Sequence, residues 1–184
     1  MKSKLISICG APCSGKSTLA TSVHNELKKM GKNSIFISEV ATDYIAEYGI
    51  PNTPVDQLVI FYKQLNRERM YIGSKDYIMC DSSGILNYFY FRGLFGGELS
   101  NKDIATINHL QKEILKTLNQ WDHIFYVPPM LDNTEDGIRY QSKEQILSLD
   151  RKIKSYLELE NINHDDLSNI KLNERCDYIL NKIR

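Results

Sequence analysis

Gly10-Ala11-Pro12-Cys13-Ser14-Gly15-Lys16-Ser17 has the spacing G-x-x-x-x-G-K-[ST]. It lies between the apolar run Leu5-Ile6-Ser7-Ile8-Cys9 and a stretch in which Leu19, Val23, Leu27 and Met30 recur at helical spacing. Strand, glycine-bounded loop and helix form the context in which this spacing carries meaning. Glycines let backbone N–H groups converge without Cβ clashes, so such a loop can wrap a chain of phosphates. The helix that starts on the loop adds the positive end of its dipole. Lys16 then supplies a mobile cation for the β- and γ-phosphates, and the Ser17 hydroxyl a ligand for the Mg²⁺ that bridges them. The expected nucleotide-binding set is Gly10, Ala11, Pro12, Cys13, Ser14, Gly15, Lys16, Ser17 and Thr18, with ATP or GTP as the ligand and Mg²⁺ as the metal.

Working outward, Lys28 and Lys29 followed by Gly31 stop the first helix. Apolar runs at Ser34–Ser38, Tyr77–Cys80 and His123–Val127 read as further strands, with 166–170 the best candidate for a fifth. Helices are expected from Thr53-Pro54 with Asp56, carrying Leu58, Phe61, Tyr62 and Leu65, and from Ser100 with Asp103, carrying Ile104, Ile107, Leu110, Ile114 and Leu118 as core. Ser142 with Gln145 has the form of a capping box ahead of Ile146, Leu149, Ile153 and Leu157. A last helix carries Leu172, Cys176, Ile179 and Ile183. Strands alternating with helices predict an α/β fold of three layers, a five-strand parallel sheet flanked by helices.

The 184 residues suit one domain over 1–184. A formal charge of +0 argues against a chain that coats nucleic acid with excess positive charge. No stretch approaches a membrane span, and no signal-like segment precedes the first strand, so the expected location is cytoplasmic. Cys9, Cys13, Cys80 and Cys176 are scattered without a C-x-x-C pair, so Cys9 and Cys80 read as small buried hydrophobes.

Ligands of a doubly wound sheet lie beyond the carboxyl ends of its strands. Strand two runs out at Glu39, strand three at Asp81 and strand four at Pro128-Pro129. Asp81 suits a Mg²⁺ acid, the alternative being a cap on a helix starting near Ile85. Glu39 suits a general base that accepts a hydroxyl proton, the alternative being a solvated or capping glutamate. The 11 tyrosines include Tyr44, Tyr48, Tyr62, Tyr88 and Tyr90 in the middle region, where core packing is the default role and stacking on a base the functional one.

The loop at 10–17, Glu39-Val40-Ala41-Thr42-Asp43-Tyr44, Asp81 and Asp136-Gly137-Ile138-Arg139 together resemble the P-loop kinases related to the nicotinamide riboside kinase domain of the bacterial NAD regulator, an AAA-type family. The placement of the two acids is also similar to that in deoxynucleoside kinases. The resemblance implies a P-loop nucleoside kinase-like fold and transfer of the ATP γ-phosphoryl group to a hydroxyl of a nucleoside, nucleotide or related acceptor. Lys16, Glu39, Asp81 and Arg139 are then the catalytic residues, Ser17 and Asp81 hold the metal, and Arg139 belongs to a lid around 128–145. The bland reading of Arg139 is an exposed arginine after the Asp136-Gly137 turn.

Related kinases often carry arginines where this chain has Thr42 and Ser82, leaving Arg92, Arg139 or Arg151 as substitutes. That departure admits a different acceptor. Small phage-type kinases of similar layout phosphorylate hydroxymethylated pyrimidines in DNA, and Lys63, Arg67, Arg69, Lys75 and Arg92 would be the patch to hold such a strand. A regulatory ATPase that hydrolyses ATP without an acceptor would use the same loop and acid. Asp81-Ser82-Ser83-Gly84 matches the D-x-x-G of GTPase switches, but no N-K-x-D element follows.

Overall fold

Strand β1 (Lys4–Cys9) is apolar at every position except Lys4 and Ser7, and from Leu5 onward all of its residues are buried. Such a run belongs in the middle of a sheet covered on both faces, and it lies there. The computed structural model describes residues 2–84, 86, 99–130 and 142–184. In it β1, β2 (Ser34–Ile37), β3 (Tyr77–Asp81), β4 (His123–Tyr126) and β5 (Asp165–Asp166) form a parallel sheet of order β2-β3-β1-β4-β5. The α/β fold expected from the alternating pattern is the one formed.

Side chains alternate across the sheet with a period of two. Ile124 and Tyr126 join a cluster with Phe61, Leu110, Ile114, Ile153 and Leu157, from α3 (Pro54–Arg69), α4 (Asn101–Thr117) and α5 (Lys143–Leu159). Phe125 and Val127 turn the other way, onto Ala20, Val23, Leu27, Ile179, Leu180 and Ile183 from α1 (Lys16–Lys29) and α6 (Arg175–Ile183). Cys9 and Cys80 are fully buried, and burial pushes the Cys9 thiol up to about 12, so both are inert fillers. No helix among the described residues is long and apolar enough to cross a membrane.

The three helix starts read from capping residues are formed as expected. Thr53 with Asp56, Ser100 with Asp103 and Ser142 with Gln145 each make a reciprocal capping box. Other expectations need correction. β2 stops at Ile37, and Glu39 is not a strand end but the N-cap of a helix the sequence pattern did not reveal, α2 (Val40–Tyr48). β5 covers only Asp165–Asp166, because the Asp166 carboxylate accepts the Ser168 N–H at 2.8 Å and turns the chain into a 3₁₀ turn over Leu167–Asn169. Ile104, expected in the core, is 44% exposed on the first turn of α4, and Leu172, at 62%, lies in a 3₁₀ turn ahead of α6. Tyr48 and Tyr62 are exposed rather than core, and Tyr44 is half-buried. The helix expected near Ile85, with Tyr88, Tyr90 and Arg92, lies outside the described residues apart from Leu86, as does Arg139.

Candidate active site

Every chemistry-bearing segment leaves the sheet at its carboxyl edge. Ile8 stands opposite Asp81, Ile37 opposite Cys80 and Cys9 opposite Tyr126, so the 10–17 loop, Glu39, Asp81 and Pro128 emerge side by side.

The loop enters α1 through Gly15, whose φ of 76° is left-handed and suits a residue without Cβ. No side chain caps α1 and no acid stands in its first turn, whereas α3, α4 and α5 are each capped by their own serine or threonine. The first N–H groups of α1 are therefore unclaimed donors at the positive end of a 14-residue helix. Inside the loop, the buried Ser14 hydroxyl has no partner among the described residues. Lys16 is 8% exposed, with Nζ at 3.4 Å from the Ala11 carbonyl and no ion pair among the described residues. An ammonium held by one long hydrogen bond is ready to exchange it for phosphate oxygens. Ser17 and Thr18 are exposed at the start of α1.

Asp81, 4% exposed, ends β3. Ser82 follows with φ 57°, a left-handed conformation costly for serine, and its hydroxyl donates to Asp81 Oδ1 at 3.4 Å. The same hydroxyl reaches the half-buried Glu39 carboxyl. Burial raises Glu39 above the usual carboxylate range; the Lys16 ammonium pulls it back, the Asp81 charge adds to the rise, and the Ser82 hydroxyl opposes it. The structure thus brings Lys16, Glu39, Asp81 and Ser82 within electrostatic reach of one another at the mouth of the loop. A carboxylate with raised proton affinity beside a phosphate loop is better equipped to accept a proton than an ordinary one.

For magnesium the donor chemistry fits, since Ser17 and Asp81 offer hard oxygen ligands. Among the described residues no group of three or more His, Cys, Asp or Glu side chains could hold a metal alone, so such an ion would share phosphate oxygens.

Of the basic residues expected as a strand-binding patch, Lys63 and Arg67 lie one turn apart on α3 against α2. Lys63 lies over the rings of Tyr44 and Tyr48, Arg67 pairs with Asp43, Arg69 bonds Gln120, and Lys75 bonds Asn33 at the opposite end of β3 from Asp81. Arg151 is exposed on α5, while Arg92 and Arg139 lie outside the described residues.

Sequence reading missed Met130, whose N–H donates to the Cys13 carbonyl at 2.7 Å and whose methyl covers Gly15. It also missed Gln64, whose side-chain oxygen accepts the Val40 N–H at 2.9 Å, and the buried Glu68 one turn further along α3. Both share the helical spacing of Phe61 and Leu65, a polar line inside an apolar stripe that could have been found from the sequence.

A search among curated protein sequences finds no match. Among solved structures, the NadR protein in complex with NR superposes with a TM-score of 0.76 at 18% identity over 98% of this chain, which spans 50% of the NadR chain. Deoxyadenosine kinase from M. mycoides with bound dCTP gives 0.68 at 12% identity over 97% of this chain and 98% of that one. At these identities the likeness establishes the fold alone, a five-strand parallel sheet flanked by helices. A family model described as an AAA domain matches residues 5–175, and the chain belongs to that family.

Proposed function

We propose that this protein is an ATP-dependent kinase that transfers the γ-phosphoryl group to a hydroxyl of a nucleoside, nucleotide or related base-containing acceptor. The observation that carries the reading is the cluster of Glu39, Asp81 and Ser82 beside Lys16 at the mouth of an uncapped phosphate loop. Both structural neighbours support it, because one is a deoxyadenosine kinase and the other was solved with NR.

Backbone N–H groups of 10–18, Pro12 excepted, and the Ser14 hydroxyl would hold the phosphates, and Lys16 would move from Ala11 onto the β- and γ-oxygens. Glu39 accepts the acceptor's hydroxyl proton as the new O–P bond forms and the bond to the β-phosphate oxygen breaks, releasing ADP. Magnesium, held by Ser17 and Asp81, would neutralise charge on the phosphate oxygens. Arg139, in the proposed lid around 128–145, would add a guanidinium to the transferring group.

The test is γ-labelled ATP and Mg²⁺ incubated with nicotinamide riboside, deoxynucleosides, nucleotides, and DNA bearing natural or hydroxymethylated bases. Label in a small acceptor, lost in Lys16→Ala and suppressed with ATP binding intact in Glu39→Gln, is the expected result. Free phosphate alone across the panel would replace this reading with acceptor-independent hydrolysis, and label in DNA alone would move the acceptor from small molecule to polymer.

A further inference from the structure

Glu68 stands in the interior of α3 at 1% exposure, and its Oε1 has no hydrogen-bond partner among the described residues. The cation that acts on it, Arg69, directs its Nε to Gln120 at 3.2 Å. A buried carboxyl without a close ion partner costs stability that an apolar residue of the same size would not. Packing alone therefore does not account for a glutamate here.

What the carboxyl does face is informative. The backbone N–H of Gly84 points at it, and the Gln64 side chain lies close enough to favour its charged form although Gln64 Nε2 has no hydrogen-bond partner among the described residues. Gly84 closes the turn that begins at Asp81, and it is pressed so flat on Phe61 that a Cβ would come within 2.8 Å of the ring. Gln64 in turn accepts the Val40 N–H at 2.9 Å, which fixes the first turn of α2 immediately after Glu39. Phe61, Gln64 and Glu68 thus give α3 a hold on both acid-bearing segments at once. Glu39 is not anchored by a helix cap of its own making, since it makes no side-chain cap bond on α2.

We propose that Glu68 is a positioning residue for the transfer site: it holds the turn after Asp81 through the Gly84 N–H while Gln64, one turn back on the same helix, holds the start of α2, so that α3 fixes the separation of Glu39 and Asp81 from inside the protein. Its consequence for rate rests on the kinase reading above, while its geometric content does not. Titration gives the hold a pH dependence. Burial raises the Glu68 carboxyl to about 7 against the Gln64 amide, the Gly84 N–H and the Arg69 charge. From β3 it is faced by the Cys80 thiol, which burial keeps protonated throughout this range. Above neutrality the ionised carboxyl draws toward water, and the hold on the two segments slackens.

Two variants test this, with Glu39 followed in the free protein by ¹³C-carboxyl NMR and transfer measured from Mg²⁺-ATP to the best acceptor of the panel. Glu68→Met keeps length, helix preference and burial, so its stability should match or exceed that of the parent. It should nonetheless shift the Glu39 titration midpoint down by about half a pH unit or more as Asp81 and the covering turn move away. Its kcat should fall on the order of 100-fold, the cost of about 1 Å of misplacement, with KM for ATP within about twofold. Glu68→Gln keeps the polar links without the charge. It should leave the Glu39 midpoint in place, restore kcat at pH 6, and lack the decline above pH 7 that the parent shows.

An unmoved Glu39 midpoint in a folded Glu68→Met protein would overturn the proposal, leaving Glu68 a core residue with no link to the site. So would identical alkaline limbs for the parent and Glu68→Gln. If the parent transfers phosphate to nothing, the kinase reading fails and the NMR arm still decides the role of Glu68.

Discussion

Replacing Glu68 by glutamine should make the protein more stable at alkaline pH while leaving it nearly unchanged in acid, and the size of the gain follows from burial. An exposed glutamate titrates near 4.5, and burial in α3 raises Glu68 to about 7. For a carboxyl whose proton affinity rises on folding, stability is full below the unfolded value and is lost as pH climbs through the folded one. The neutral acid is the form the interior accepts. At about 1.4 kcal/mol for each tenfold difference in proton affinity, the parent forfeits about 3 kcal/mol between pH 4 and pH 8.5 at this one residue. Glutamine has nearly the same shape, accepts the Gly84 N–H and carries no charge, so it forfeits none of this. Urea denaturation of both proteins from pH 5 to 9 is the assay, with the difference in unfolding free energy as the quantity read. Glu39, His24 and His123 also titrate away from their ordinary values, but they are present in both proteins and cancel in the difference. The difference should be about 1 kcal/mol at pH 5, grow by about 1.4 kcal/mol per pH unit from there toward pH 7, and level off at about 3 kcal/mol above it. A difference that stays flat across the range would show that Glu68 is solvated or ion-paired in solution and would refute the reasoning.

Three further perturbations probe the loop and the turn. Ser14→Ala removes a buried hydroxyl that has no partner, so the free protein should lose nothing or gain about 1 kcal/mol in thermal unfolding, while calorimetry shows weaker ATP binding. Ser82→Gly relieves a left-handed serine worth about 1 kcal/mol, yet it removes the hydroxyl that holds Glu39 down, so the acid limb of the pH–rate profile should move to higher pH. Gly84→Ala places a methyl against the Phe61 ring and should cost about 1–3 kcal/mol in denaturant unfolding, most of it recovered in a Phe61→Leu background.

What was legible in the sequence was whatever repeats or caps. The loop with its flanking strand and helix, the three capping boxes and the two-sided burial of β1 all follow from local chemistry. α2 did not, because Val40 is the only one of its nine residues that is buried, and an exposed helix leaves no apolar stripe to count. β5 was drawn too long because Leu167, which is buried, looked like a strand residue; the Asp166 side chain that ends the strand acts over only two positions. Asp81 at the end of β3 and Glu39 two residues beyond β2 were findable by rule, whereas the electrostatic coupling of Glu39 to Lys16 was not, since it depends on the register of three strands. Glu68 was invisible for a simpler reason: a glutamate on an amphipathic helix reads as solvated until the fold turns that face inward.

The serine after Asp81 shows why the departure from the arginine pattern matters. Ser82 is buried, left-handed, and directs its hydroxyl to both Asp81 and Glu39, so the position holds a short neutral side chain between two acids. An arginine there would lower the proton affinity of Glu39 and share the phosphate charge. With serine instead, Lys16 is the cation that opposes burial and Asp81 at Glu39, and the balance falls on the side of a raised proton affinity. With Glu39 as the base proposed above, the exchange strengthens that base and weakens the electrostatic clamp. On the proposed kinase reading, such a site suits an acceptor whose hydroxyl is hard to deprotonate, or whose own charge would crowd a second guanidinium.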